Sequence, residues 1–458
     1  MIRIFSGQRL GMLGVLALLV GASHATAAGL MDVYDLARDN DPQFQSDFFG
    51  KQATDERYYQ ARSALLPQVS ANVARSEISQ DIVSSDNEVF GSGSTSYPTT
   101  VYGISLTQSV YDYSRWASFR QADMETQQAA SELEVARQDL LLRVSERYFD
   151  VLALQENLDF LNAEKEEVET NLGQVRARYE DGLAREIDLL DAEARFLQVQ
   201  ARELDLANRL RDAHNGLGEI TGQAPDQLRL VREDLQLQRP DPDAESAWTE
   251  LALQRSPRLK AAELASDVAA QDVNVRRGGH YPTVDLSLNY ENDDTEGSLF
   301  GGGSEVETQT IRLNVNIPIY SGGMVSSQVR QGEQLINASR STLEQVRREI
   351  DRQVQAGYQG IITAMAREEA LRESLRASER IVESRQVGFE SGITPLLDLL
   401  DAERDLFLAR SELANARYDY LLSVIRLKHA AGILNAEDLA EIDGFLGDEV
   451  VVGRQAAA

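Results

Sequence analysis

The chain has 458 residues, 26% of them charged, and a formal net charge of −29. That balance excludes a nucleic-acid partner, because phosphate contacts need clustered Lys and Arg, and here the basic residues are dispersed among more numerous Asp and Glu. The absence of cysteine excludes disulfides, thiol chemistry and Cys-based metal sites.

Residues 1–28 read as a secretory signal. Arg3 and Arg9 form its basic end, Leu10–Val20 its short apolar core, and Ala25-Thr26-Ala27 its small-residue cleavage pattern. No later segment is apolar for long enough to predict a transmembrane helix. The expected product is exported: periplasmic, secreted or inserted as a β-barrel.

Leu30–Asn40 and Gln43–Leu65 read as helices separated at Asp41-Pro42, proline suiting a first helical turn. Period-two alternation then predicts strands. Val69, Ala71 and Val73 lie on one parity, as do Tyr102, Ile104, Leu106 and Val110. Ser84–Pro98 between them is rich in Ser, Gly and Thr and predicts a loop. The second half repeats the plan. Val284, Leu286, Leu288 and Tyr290 alternate, as do Ile311, Leu313, Val315, Ile317 and Ile319, around a loop expected over Asp293–Glu305. Each hairpin has one apolar and one polar face. That fits strands crossing an outer membrane, and equally a soluble sheet with its apolar face inward.

Long helical patterns follow each hairpin, Ser114–Asp181 and Gly323–Ser391, each about 100 Å long if continuous at 1.5 Å per residue. Ile187–Thr221 and Leu396–Ala431 return and end at Gly222 and Gly432. Helices of that length must pack along a partner as coiled-coil-like hairpins. The turns are near copies: YEDGLAREIDLLDAE over 179–193 and FESGITPLLDLLDAE over 389–403, with Gly392 following Gly182 by 210 residues. A duplicated unit explains the order. The chain divides into a signal segment 1–28, a first repeat 29–222 (β-hairpin 67–112, helical hairpin 114–222), a linker 223–245, a second repeat 246–432 (β-hairpin 282–320, helical hairpin 323–432) and a tail 433–458.

Four strands do not close a membrane barrel, and an open edge in lipid leaves unpaired backbone groups. Membrane-inserted hairpins therefore require several chains to share one barrel, with the helical hairpins gathered into a bundle or tube beneath it.

Several segments, in this order and spacing, resemble the TolC family of outer-membrane efflux proteins over nearly the whole mature chain. They are Leu30-Met-Asp-Val-Tyr34, Leu65-Leu-Pro-Gln68, Leu106-Thr-Gln-Ser-Val-Tyr111, Ile317-Pro-Ile-Tyr-Ser-Gly-Gly-Met-Val325, Leu413-Ala-Asn-Ala-Arg-Tyr418 and the twin turns. The resemblance implies a mainly α protein: a homotrimer whose twelve-stranded membrane β-barrel, four strands per chain, continues into a long α-helical periplasmic tunnel. The linker would lie in the tunnel's equatorial region. It also implies a passive duct in outer-membrane lipid, docked to a periplasmic adaptor protein and an inner-membrane RND or ABC transporter. Drugs, bile-like amphiphiles or secreted proteins would pass through it.

The paired acids Asp188/Asp191 and Asp398/Asp401 lie three apart on helix faces, where they suit the positive end of a first turn. By resemblance, Asp398 and Asp401 match acidic rings at the narrow lumen end, which implies a cation-selective constriction. Asp188 matches a residue that latches the closed tip. The family's basic latch partner falls on Thr394 and its aromatic partner on Phe389, so the latch cannot be copied intact. Arg185, beside the turn in the first copy, is a candidate partner for Asp398. Gly182-Leu183-Ala184 and Gly392-Ile393-Thr394 match the grooves that receive the adaptor; as local structure they are helix stops.

The mature chain carries only His214, His280 and His429, far apart, with no nucleophile motif, P-loop or metal spacing. No catalysis and no cofactor are expected. Asp293, Asp294 and Glu296 are candidate Ca²⁺ ligands, with a solvated external loop the simpler reading. Tyr281 and Tyr320 border strands and fit either an aromatic girdle or ordinary packing. A periplasmic coiled-coil scaffold and a barrel-embedded enzyme remain as other classes; the lack of His in the strands weighs against the second.

Overall fold

The computed structural model describes residues 27–84, 93–232, 235–298 and 302–451. Most of the expected signal segment, residues 85–92 of the first loop and residues 299–301 of the second lie outside them. In order, the elements are α1 (Leu30–Asn40), α2 (Pro42–Ser63), β1 (Gln68–Ile82), β2 (Gly93–Tyr111), α3 (Tyr113–Glu180), α4 (Glu186–Thr221) and β3 (Gln227–Val231). Then come α5 (Glu245–Arg255), α6 (Pro257–Arg277), β4 (Thr283–Thr295), β5 (Ser304–Asn316), α7 (Met324–Glu390), α8 (Leu396–Ala430), α9 (Ala436–Asp443) and β6 (Leu446–Val451).

The helix starts show how the duplication is built. Asp41 accepts from the Phe44 N–H at 2.9 Å with Pro42 in the first turn of α2. Ser256 accepts from the Leu259 N–H at 3.4 Å with Pro257 in the first turn of α6. In both, a short polar side chain satisfies a free helix donor and proline occupies a place where no N–H is missed.

The two hairpins join into one antiparallel sheet of order β1-β2-β4-β5. Register carries the alternation across all four strands: Val69 pairs with Leu106, Leu106 with Leu288 and Leu288 with Ile311. Directly paired residues share a face, so one side of the sheet is a continuous apolar band. That band faces outward in the single chain; Val73 is 70% and Ile311 75% exposed.

Two local expectations need correction. The strands outrun the apolar pattern. Ser94–Pro98, read as loop, pair with Glu77–Asp81, and Asp293–Thr295 pair with Ser304–Val306. Backbone ladders and polar cross-strand bonds hold these arms, including Ser96 to Glu77 and Tyr97 to Gln80, both at 3.0 Å. Ile317 and Ile319 lie beyond β5, which stops at Asn316. Pro318 has no N–H to continue the ladder. A bulge between Ser109 and Tyr111 leaves Val110 outside the pairing and brings Tyr111, paired with Val284, into the outward row as well.

The main core sits where α1, α3, α4, α5, α7, α8 and α9 meet, around Tyr148, Phe149, Leu152, Leu217, Trp248 and Leu421. The stretch read as a tail contributes to it. Asn435 and Asp438 form a reciprocal capping box that starts α9, and β6 pairs antiparallel with β3 from the linker. Among the described residues no helix is long and apolar enough to cross a membrane.

Candidate functional site

Two helical hairpins, α3–α4 and α7–α8, end at the twin turns, and their backbones match bond for bond. Leu183 N donates to the Arg178 carbonyl at 2.7 Å and Ala184 N to the same oxygen at 3.1 Å. Ile393 N and Thr394 N donate to the Gly388 carbonyl at 2.9 and 3.1 Å. Gly182 and Gly392 both have φ of +75°, a left-handed conformation that side chains with a Cβ resist. This geometry leaves Leu183 73% and Ile393 82% exposed at the extremities of the hairpins. Ala184 and Thr394 are half-buried behind them.

The charged residues resolve differently from the expectation. Arg185 holds Asp188 in its own turn, with Nη2 donating to Oδ1 at 2.6 Å and Nε to Oδ2 at 3.1 Å. The guanidinium bonds hold the Asp188 carboxyl below the usual range. Arg185 is therefore committed to Asp188 and does not reach Asp398 within the chain. Asp398 is held instead by Arg385, Nη1 to Oδ2 at 3.2 Å, from the last turns of α7. Asp401 pairs with Arg404 at 3.1 Å, and Arg404 also contacts Asp405 at 2.8 Å. Sequence reasoning missed Arg385 and Arg404. Arg404 could have been found from its i,i+3 spacing to Asp401.

Phe389 lies beneath Arg178, whose Cζ is 5.5 Å from the ring centroid. It packs on a small cluster of Leu172, Val175, Ala192, Leu396 and Leu400 that ties the two hairpins together. An aromatic here contributes by packing and cation–π attraction, with no hydroxyl needed. The tips thus hold acids in arginine pairs around a thin apolar contact.

At the other end, outward-facing Tyr111 and Tyr102 bound the apolar band, separated by about 30 Å along the strand at ~3.3 Å per residue. At a tilt of roughly 40° that is a band about 23 Å tall, the apolar height of an outer-membrane barrel. Tyr113 and Tyr281, 4.8 Å apart, lie at its lower edge. This arrangement favours the girdle reading for Tyr281.

The sequence matches the family described as "Outer membrane efflux protein" over residues 33–223 and 248–433, one match per repeat. The chain belongs to the outer membrane efflux protein family. It is 32% identical to the outer membrane protein TolC of Vibrio cholerae, over 93% of this chain and 95% of that one. It is 28% identical to the alkaline protease secretion protein AprF of Pseudomonas aeruginosa, over 92% and 88%. The fold superposes on the outer-membrane channel CmeC of Campylobacter jejuni with a TM-score of 0.78 at 16% identity, covering 90% of this chain and 89% of that one. As an outer membrane efflux protein, the chain carries its sheet in the outer membrane and its helical hairpins in the periplasm, and serves as an exit duct. The sheet's outward apolar band thereby decides between the membrane and soluble readings of the hairpins.

Proposed function

We propose that three copies of this chain close a shared barrel and tunnel, that the twin turns gate its periplasmic end, and that the duct works passively between an inner-membrane pump and the outside. The carrying observation is the open four-stranded sheet. Its outer strands β1 and β5 each leave one edge without a partner among the described residues, directly above helices of 68 and 67 residues. Edges in lipid must be paired, and pairing β1 of one copy with β5 of the next satisfies them all in a ring. Helix α4 supports the same assembly. Ile187, Leu190, Leu197 and Leu204 are 51%, 51%, 61% and 68% exposed and follow coiled-coil spacing, a seam awaiting a neighbouring helix.

At the tip, Asp398 and Asp401 from three chains form the pore constriction, and the arginine pairs set its charge. Gly182, Leu183 and Ala184 with Gly392, Ile393 and Thr394 present the apolar knobs that a periplasmic adaptor would grip. A pump of the RND or ABC class supplies energy, since the duct catalyses nothing itself. Export of small amphiphiles and of proteins use the same passage; the likeness to AprF supports the second cargo. Projection images of the detergent-solubilised protein test the assembly. A tapered cylinder with threefold symmetry, well over 100 Å long, is expected; a monomer or an open sheet overturns it.

A further inference from the structure

Glu403 and Glu193 occupy the same place in the duplicated turn motif, yet their surroundings are opposite. Glu193 is half-exposed and takes Arg176 at 3.0 Å across the α3–α4 hairpin. The residue 210 positions after Arg176 is Gln386, whose amide turns to Glu390 at 3.0 Å. Glu403 therefore gets no guanidinium from its own hairpin. It is 2% exposed, wedged between α8 and α3, and accepts from Asn171 Nδ2 at 3.1 and 3.4 Å. Among the described residues no Lys or Arg nitrogen forms an ion pair with it.

On α3 the neighbours are acids: Glu167 beside Glu403 and, one turn further, Glu164. On α4, Arg195 and Arg202 both bind Glu164, at 2.8 and 2.7 Å. On α8 itself, Arg404 serves Asp401 and Asp405. The register fixed by the Arg385–Asp398 and Arg367–Asp419 pairs brings Glu379, Arg380 and Glu383 of α7 to the level of Glu403. Burial and the Glu167 charge push the Glu403 carboxyl up to about 7, and the Asn171 hydrogen bond and the Arg195 charge offset them only in part. Only thin apolar clusters flank it: Leu172, Val175, Ala192, Leu396 and Leu400 toward the tip, and Leu161, Val168 and Val199 on the other side.

We propose that Glu403 is a proton-operated spacer between the two helical hairpins: protonated, it lets α8 close on α3; ionised beside Glu167, it drives them apart and loosens the tip. A carboxyl whose folded pKa is raised stabilises the packed form fully below its unfolded pKa, and that contribution is lost as pH rises through about 7. The tip should hence be tight in mild acid and loose in mild alkali. For transport this rests on the tip being the gate; for the helices themselves it does not.

The test is amide hydrogen exchange on the full-length protein in detergent, with intrinsic pH dependence removed against an unstructured peptide. Segments 161–175 and 396–408 should lose at least tenfold protection between pH 5.5 and 8.5. Glu403→Gln, which fixes the neutral shape, should keep acid-level protection throughout. Glu167→Gln, a change at an exposed residue, should keep a smaller transition with a lower midpoint, because losing the neighbouring charge lowers the Glu403 carboxyl in the packed form. An identical pH response in the wild type and Glu403→Gln overturns the proposal, as does a flat wild-type response. Bilayer conductance over the same pH range separates the two readings: an exchange response without a conductance response leaves the Glu403 spacer standing and removes the tip from gating.

Discussion

Arg385 Nη1 lies 3.2 Å from Asp398 Oδ2, binding the end of α7 to the start of α8 within one hairpin. The acid that would line the constriction therefore brings its own counter-charge. Both side chains are about half exposed, at 47% and 46%, so the pair contributes under about 1 kcal/mol to folding. Its consequence is electrostatic. Arg385→Ala should leave thermal stability nearly unchanged while uncovering three carboxylates around the axis. Reversal potentials in a salt gradient should shift toward stronger cation preference. Asp398→Asn in the same background should remove the gain. An unchanged reversal potential in Arg385→Ala would place Asp398 away from the ion path.

The turn glycines separate folding from docking. A Cβ built on Gly182 or Gly392 meets nothing within 4 Å, so space is not the constraint. The constraint is φ of +75°, which costs a side-chain-bearing residue about 1–2 kcal/mol. Gly392→Ala should lower stability by that amount and preserve export. Gly392→Phe should form the same trimer, seen as an unchanged band on a native gel, but lose export because the ring covers Ile393. Continued export by the Phe variant would move adaptor docking off this turn.

Much of this arrangement can be read from residues in order, and the exceptions share a cause. Glycine positions, apolar parity and the repeat of 210 residues locate the turns and strands because each depends on neighbours close in sequence. The partner of Asp398 does not: Arg185 and Arg385 are both plausible from charge alone, and the choice is made by the local box that claims Arg185 for Asp188. Glu403 is still less legible. Its letter is the same as that of Glu193, and only the exchange of Arg176 for Gln386 across a hairpin decides which one is buried unpaired. The strand arms beyond the apolar band look like loops in the sequence because backbone pairing leaves no hydrophobic trace.

Asp41 joins the first repeat to the long helices. It is 2% exposed, caps α2, and receives Arg143 Nη2 at 2.5 Å from α3. Arg143 Nε is buried with no hydrogen-bond partner, so this carboxylate is the main compensation for that guanidinium. Asp41→Ala removes a cap and strands a partly buried cation, at a cost of about 2–4 kcal/mol. Asp41→Asn keeps the cap and should recover about 1 kcal/mol of that loss. Denaturation midpoints for the pair measure the difference; equal midpoints would mean that the ion pair alone carries the effect.

Ile311 offers the sharpest test of where the sheet resides. It stands in the middle row of the apolar band, with Leu288 as its neighbour, and is 75% exposed in the single chain. In water, an exposed Ile→Arg change is nearly neutral. At the mid-depth of a bilayer it costs about 2–4 kcal/mol. Ile311→Arg should therefore leave the helical signal in circular dichroism intact in detergent, yet reduce the fraction of heat-resistant trimer recovered from membranes. Arg312, whose parity faces the barrel interior, is already charged and provides the control: Arg312→Ile should insert normally and alter only conductance. Equal recovery of the wild type and Ile311→Arg would mean that this face does not meet lipid, and the shared barrel would have to be turned inside out or abandoned.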